Sequence, residues 1–193
     1  MCLPRELLEE LYLERGLSIA QIAEQLGCSV NKVVYWMDKH RIKRRDISEA
    51  IYRWHNPEGD PFDVNEPENG EARELFQLGL GLYIGEGKKR SKHHVSLTNS
   101  DPRVIRAFLR FLREICSVEE KRIWAWINIF DDVDLETAQA YWLQVTGLPP
   151  SQFYKPVVRP HRGGTYQSLS EYGTLTVGVS STKLREIVLQ WCE

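Results

Sequence analysis

Glu86 closes a glycine-rich apolar run and is followed at once by Gly87 and then by Lys88, Lys89, Arg90 and Lys92. A carboxylate beside clustered cations suits the handling of phosphate esters: the acid holds a hard divalent ion, and the cations hold phosphate oxygens. Mg²⁺ keeps several waters and accepts substrate phosphate, so one or two carboxylates suffice. The run that delivers this acid, Leu75, Phe76, Leu78, Leu80, Leu82, Tyr83 and Ile84, is apolar on nearly every side and predicts a helix buried all round. Gly79, Gly81 and Gly85 lie within it. Each costs a helix interior about 1 kcal/mol against alanine, so their density predicts close backbone approach. Gly81 and Gly85 share one face and predict a partner helix, from a repeat or from a second subunit. Two copies of Glu86 would then meet, and two adjacent carboxylates repel unless a cation neutralises them or one takes up a proton.

The segment Gly81-Leu82-Tyr83-Ile84-Gly85-Glu86-Gly87 resembles the motif of the LAGLIDADG homing endonucleases. Gly81, Leu82, Glu86 and Gly87 fall on matching positions; Tyr83 and Ile84 replace the usual Ile and Asp, and Gly85 replaces Ala. The resemblance implies that Glu86 is the metal-binding and catalytic carboxylate, with the backbone carbonyl of Gly85 as a helper ligand. It also implies an antiparallel saddle lying along the DNA major groove, with Lys155, Arg159, His161, Arg162 and Lys183 near the backbone. It spans residues from about 71 to 193, but the element order departs from the family's αββαββα repeat, so roles beyond Glu86 do not transfer. No second Gly-Leu-x-x-x-Glu-Gly follows in the chain, so a cleaving enzyme of this kind would be a homodimer. The plain alternative for Glu86 is a solvated charge at a helix end.

The elements downstream must position that acid. His94 to Asn99 reads as a strand running into a helix capped by Ser100 or Asp101, with Pro102 at its first position. That helix turns Val104, Ile105, Phe108, Leu109, Leu112 and Ile115 inward. Residues 122–130 alternate, placing Ile123, Ala125, Ile127 and Ile129 on a core face and Arg122, Trp124, Trp126 and Asn128 on the other. This second face suits a nucleic-acid surface or a sheet covered by another helix, and the covered sheet is the expectation for the two tryptophans. A helix over 134–145, strands over 152–159 and 172–180, and a closing helix over 182–191 complete the pattern. His93 and His94 are neighbours on a strand and point to opposite faces, which argues against joint metal ligation.

Upstream, Ile19, Ile22, Ala23 and Leu26 mark one helix, Gly27 a tight turn, and Ser29 the cap of a second helix held by Val33 and Met37. This is helix-turn-helix spacing. Asn31, Lys32, Tyr35, Lys39 and His40 are expected to face outward on the second helix, where Asn can pair with adenine, and Arg41, Lys43, Arg44 and Arg45 to hold phosphates. A third helix over 48–54 leads into the proline-rich acidic stretch 55–70, which reads as a spacer that Phe62 anchors to a domain surface.

With 193 residues, 42% of them hydrophobic, the chain can build one small and one medium core. The formal charge of −2 excludes a whole-molecule polyanion binder and leaves local basic patches to carry such a role. Cys2, Cys28, Cys116 and Cys192 show no metal or disulfide spacing. No signal peptide or membrane span is evident, so a cytoplasmic location is expected. The fold expected is α/β in the broad sense (α+β): an all-α helix-turn-helix domain at 1–55, a linker at 56–70, and a mixed α/β domain with an antiparallel sheet at 71–193. The function expected is a site-specific, metal-dependent DNA endonuclease acting on double-stranded DNA as a homodimer with Mg²⁺ or another divalent cation. A helix-turn-helix transcription regulator that keeps the second domain as a non-cleaving scaffold is the alternative, and an RNA maturase a third.

Overall fold

The computed structural model describes residues 2–64, 66, 67, 70–160 and 170–192. The chain divides into two compact units, Met1–Gly59 and Asp60–Glu193. In the first, α1 (Arg5–Glu9) continues through one wider turn, Glu10–Glu14, and is followed by α2 (Ile19–Gln25), α3 (Val30–Lys39) and α4 (Ile47–His55). Ser18 starts α2 through a capping box: its hydroxyl accepts from the Gln21 amide, and the Gln21 side chain accepts from the Ser18 amide. Gly27 then takes φ +59°, a left-handed turn that suits glycine, and the Ser29 hydroxyl accepts from the Lys32 amide to start α3. Leu8, Leu11, Ile22, Val33 and Met37 form the centre of this core. Helix α4 places no described side chain in it, and Trp54 is 76% exposed.

The second unit runs α5 (Gly70–Glu86), β1 (His94–Asn99), α6 (Pro102–Arg110, extended by the turn Phe111–Ile115), β2 (Ile123–Phe130), α7 (Leu135–Thr146), β3 (Val157–Arg159), β4 (Thr174–Ser180) and α8 (Thr182–Trp191). Its sheet has the order β1-β4-β2-β3. Strand β4 is antiparallel to β1 and to β2, whereas β3 is parallel to β2. The mixed α+β class is as expected, but the sheet is not antiparallel throughout. The reason is the β2-α7-β3 crossover, which returns the chain in its original direction. The strand expected over 152–159 also shrinks to Val157–Arg159, because Pro150–Gln152 coils into a short turn and Pro156 has no N–H to donate. Phe153 makes only an isolated bridge to Ala125.

One face of this sheet carries Val95 and Leu97, Ile123 to Ile129 at alternate positions, and Leu175, Val177 and Val179. Helices α5 to α8 contribute Tyr83, Phe108, Phe111, Trp142, Leu184 and Val188 to the same core, all fully buried. Phe62 is buried there too, the Asp63 amide donates to the Cys116 carbonyl, and the Glu119 amide donates to the Pro61 carbonyl. The segment from Asp60 therefore belongs to the second unit instead of spacing it from the first. Among the described residues, no helix is long and apolar enough to cross a membrane.

Candidate functional site

Helix α5 is two-sided. Leu75, Phe76, Gly79, Leu80 and Tyr83 face the core, while Leu78, Gly81, Ile84, Gly85 and Glu86 are exposed. The expectation of burial all round is thus corrected: the sheet and α6 cover one side of the helix, and the other is left to solvent. Its glycines divide the same way. A Cβ on Gly79 would lie 2.2 Å from Cδ2 of Phe111, so the close approach there is to the chain's own α6 extension. Among the described residues, a Cβ on Gly81 or Gly85 would meet nothing within 4 Å. Leu78 and Ile84, 50% and 46% exposed, flank this open glycine face.

Beyond Glu86 the chain is pinned. Gly87 bridges to Leu97, the Lys88 amide donates to the Ser96 carbonyl, and the Arg185 guanidinium donates to the Lys89 carbonyl at 2.9 Å. A Cβ on Gly87 would fall 2.3 Å from the Tyr83 carbonyl, so only glycine fits at this corner. The Tyr83 hydroxyl is buried, and burial raises its pKa against the opposing pull of Arg185. The Lys89 ammonium folds back to donate to the Ile84 carbonyl, complementing the negative end of α5. Lys89 remains exposed at this end of the helix. Lys88 lies over the Trp126 ring at 4.6 Å and is shifted down by desolvation, while Arg90 and Lys92 are exposed.

For a divalent cation, one chain presents the exposed Glu86 carboxylate at the electronegative end of α5, with the Gly85 carbonyl beside it in sequence. Among the described residues no group of three or more His, Cys, Asp or Glu side chains gathers to hold a metal. Both of these donors are oxygens, as Mg²⁺ requires.

The other sheet face carries Trp124, Trp126 and Asn128 from β2, Thr174 and Thr176 from β4, and His94 and Thr98 from β1. The helices pack on the opposite face, so the expected cover over the tryptophans is replaced by contacts within the sheet and at its flank. Trp124 stacks on Trp126 at 4.9 Å, meets His94 edge-on at 5.4 Å, and lies 6.1 Å from Tyr154. Its indole N–H donates to the Ser180 hydroxyl at 2.9 Å. Desolvation lowers the His94 pKa, with His93 and Lys88 adding repulsion. Further along, a cavity of about 520 Å³ opens between Lys88, Thr98, Asn128, Phe130, Arg159 and Thr174. The outward alternation of Trp124, Trp126 and Asn128 was legible in the sequence; the cavity was not, because Lys88 and Arg159 reach it from separate segments.

In the first unit, Asn31, Tyr35, Lys39, Arg41, Lys43 and Arg44 are exposed and Lys32 is half-buried. Lys39 lies 4.6 Å over Trp36, and Arg44 is 3.6 Å from Asp38. Two expectations are corrected. His40 turns inward, its Nε2 2.8 Å from the Leu3 carbonyl oxygen, because the chain before α1 passes beneath the end of α3. Arg45 is a structural tie: its guanidinium donates to the carbonyls of Tyr12, Gly16 and Leu17 and stacks 4.0 Å over the Tyr12 ring. Of the cations expected along the sheet, Lys155 and Arg159 are exposed, whereas Lys183 pairs with Asp60. His161 and Arg162 lie outside the described residues. No family model matches this chain, and no curated protein or solved structure matches it significantly.

Proposed function

We propose that this chain is a cytoplasmic DNA-binding protein that works as a homodimer and hydrolyses phosphodiesters with a divalent cation held between paired Glu86 carboxylates. The observation that carries this reading is the exposed glycine face of α5 ending in Glu86. Gly81 and Gly85 offer no side chain to obstruct a second helix, and Leu78 and Ile84 supply apolar surface for it to bury. A twofold pairing there would bring one acid from each copy together.

Glu86 and the Gly85 carbonyl would hold the ion, which when bound supplies charge neutralisation and an activated water. Lys88, Arg90 and Lys92 hold the strand by its phosphates, and the pinning of the Lys88–Lys89 backbone fixes that grip before DNA arrives. The α2–α3 pair acts as a helix-turn-helix, with Asn31, Lys32, Tyr35 and Lys39 toward the groove and Arg41, Lys43 and Arg44 toward phosphates. The second reading, a regulator that binds without cutting, is favoured by one specific observation: each chain brings a single acid to the helix end, with no further ligand cluster among the described residues.

The test is cleavage of a randomised supercoiled plasmid library with Mg²⁺, beside Glu86→Gln and a chelator control. Metal-dependent double-strand cuts that vanish in Glu86→Gln support the nuclease. Tight binding by both proteins with no cutting overturns it in favour of the regulator.

A further inference from the structure

The cavity beside the tryptophans is lined on all described sides by neutral or basic residues, with no acid among them. At about 520 Å³ it falls within the range of small-molecule sites and far exceeds what a bare phosphate or carboxylate needs. Its floor is polar and already ordered. The Thr98 and Thr176 hydroxyls are 2.7 Å apart, and the Asn128 amide nitrogen donates to Thr176 at 3.1 Å. That arrangement leaves the Asn128 amide oxygen without a protein partner among the described residues, an acceptor held in place for an incoming donor. Phe130 and Val133 give the cavity an apolar flank.

The cations sit on either side of this floor. Lys88 lies against Trp126, whereas Arg159 is the register partner of Phe130. Trp126 and Phe130 are four residues apart on one strand, roughly 13 Å, with Asn128 between them. A flat heterocycle with donors and acceptors on its edge, attached to anions on two sides, is a nucleotide within a chain: one base and its flanking phosphates. A free mononucleotide presents phosphate at one side only.

We propose that this cavity receives one unstacked nucleotide of a nucleic acid, with the base edge read by Asn128 and the threonine hydroxyls and the two flanking phosphates held by Lys88 and Arg159. The proposal rests on the nucleic-acid-binding reading above and adds that the bound strand is locally opened, one base leaving the stack.

The test uses the full chain and three probes: a matched duplex, the same duplex with one unpaired adenosine bulged from it, and free dAMP. Base extrusion has already happened in the bulge, so wild type should bind it about tenfold more tightly than the matched duplex. Ser100→Trp, which fills the cavity from an exposed lining position, and Asn128→Ala, which removes the reading amide, should each abolish that preference, bringing the bulged duplex down to the affinity of the matched one. With 2-aminopurine as the bulged base, its emission should change on binding to wild type and not to Ser100→Trp. Equal affinity of wild type for bulged and matched duplexes overturns the proposal and leaves duplex binding intact, as does a preference that survives both substitutions. Saturable binding of dAMP without a bulge preference assigns the cavity to free nucleotides and overturns the nucleic-acid source. Binding of neither duplex overturns the underlying nucleic-acid reading as well.

Discussion

Alanine at Gly79 and alanine at Gly81 should shift the stability of the second unit in opposite directions, although the two residues share one turn of α5. At position 79 the new methyl would sit 2.2 Å from Cδ2 and 2.7 Å from Cβ of Phe111, a ring with no exposed surface into which it could retreat. Overpacking of a filled core costs about 1–3 kcal/mol, and a clash with both the base and the ring of one side chain belongs at the upper end. Helix propensity returns about 1 kcal/mol, leaving a net loss of about 2 kcal/mol. At position 81 the methyl meets nothing within 4 Å, so only the propensity gain of about 1 kcal/mol remains for the monomer. Urea unfolding followed by tryptophan fluorescence reports this unit, because Trp124, Trp126, Trp142 and Trp191 lie in it and only Trp36 and Trp54 lie outside. Measured at a dilution where self-association is absent, Gly79→Ala should lower the midpoint and Gly81→Ala raise it at unchanged slope. Phe111→Leu should recover part of the Gly79→Ala loss, since residues in contact are not additive. A Gly79→Ala protein as stable as wild type, or a Gly81→Ala monomer as damaged as Gly79→Ala, would refute the division of α5 into a packed and an open face. Sedimentation at higher concentration then separates the second question: Gly81→Leu should shift dimer to monomer if the open face pairs, and unchanged sedimentation counts against that pairing.

The remaining predictions concern single groups. Arg45→Met should destabilise the first unit by about 1–3 kcal/mol, since it strands the carbonyls that Arg45 binds, whereas Arg44→Met should leave stability within about 0.5 kcal/mol and reduce DNA affinity and its salt dependence; equal melting curves would count against the structural assignment of Arg45. Burial pushes the Cys116 thiol up to about 12, so at pH 8 an alkylating reagent should label exposed Cys2 quickly and Cys116 only after unfolding, as read by peptide mass spectrometry. The linked stability is present below the ordinary thiol value of 9.0 and lost as pH rises from there through about 12. His94 should titrate below the ordinary 6.5 in an imidazole NMR experiment, because desolvation and then His93 and Lys88 disfavour its charge. Its contribution to stability is present above 6.5 and lost as pH falls through the lower folded value; a midpoint above 6.5 would contradict the packing against Trp124.

Local rules with short reach carried the sequence reading furthest. Gly27 and Ser29 fixed the turn and cap between α2 and α3, and Pro102 after Asp101 fixed the start of α6. Alternation over β2 assigned its inward residues correctly, because period two leaves no choice once one face is core. What failed depended on distant chain. His40 reads as an outward groove residue from helix periodicity, yet its ring is taken by Leu3, thirty-seven residues away. Arg45 reads as the end of a basic run, and its guanidinium is consumed by the turn after α1. The apolar faces of α5 could not be ranked, since an apolar side chain does not reveal whether its cover is the same chain or another.

The one-sided layering of the second unit explains why its two exposed surfaces carry different chemistry. With α5 to α8 on one face of the sheet, the core is complete, and burial does not require aromatics on the other face. Yet that face holds Trp126 half-buried and Tyr154 59% exposed, beside the Lys88 ammonium over an indole. Threonines alone would satisfy a solvated strand surface. The polar groups there are also bonded to one another: Thr98 with Thr176, Asn128 with Thr176, and His94 and Trp124 with Ser180. Side chains held in place before a ligand arrives lose little rotamer entropy on binding, which is where a preorganised site gains affinity over a flexible one. On the opposite flank, α5 presents Gly81 and Gly85 with nothing against them, a helix surface suited to another backbone rather than to a ligand. Lys88 and its pinned backbone connect the two, directly after the helix that ends in Glu86, so the proposed pairing of α5 would set the acids and the basic loop at once and leave the tryptophan face uncovered.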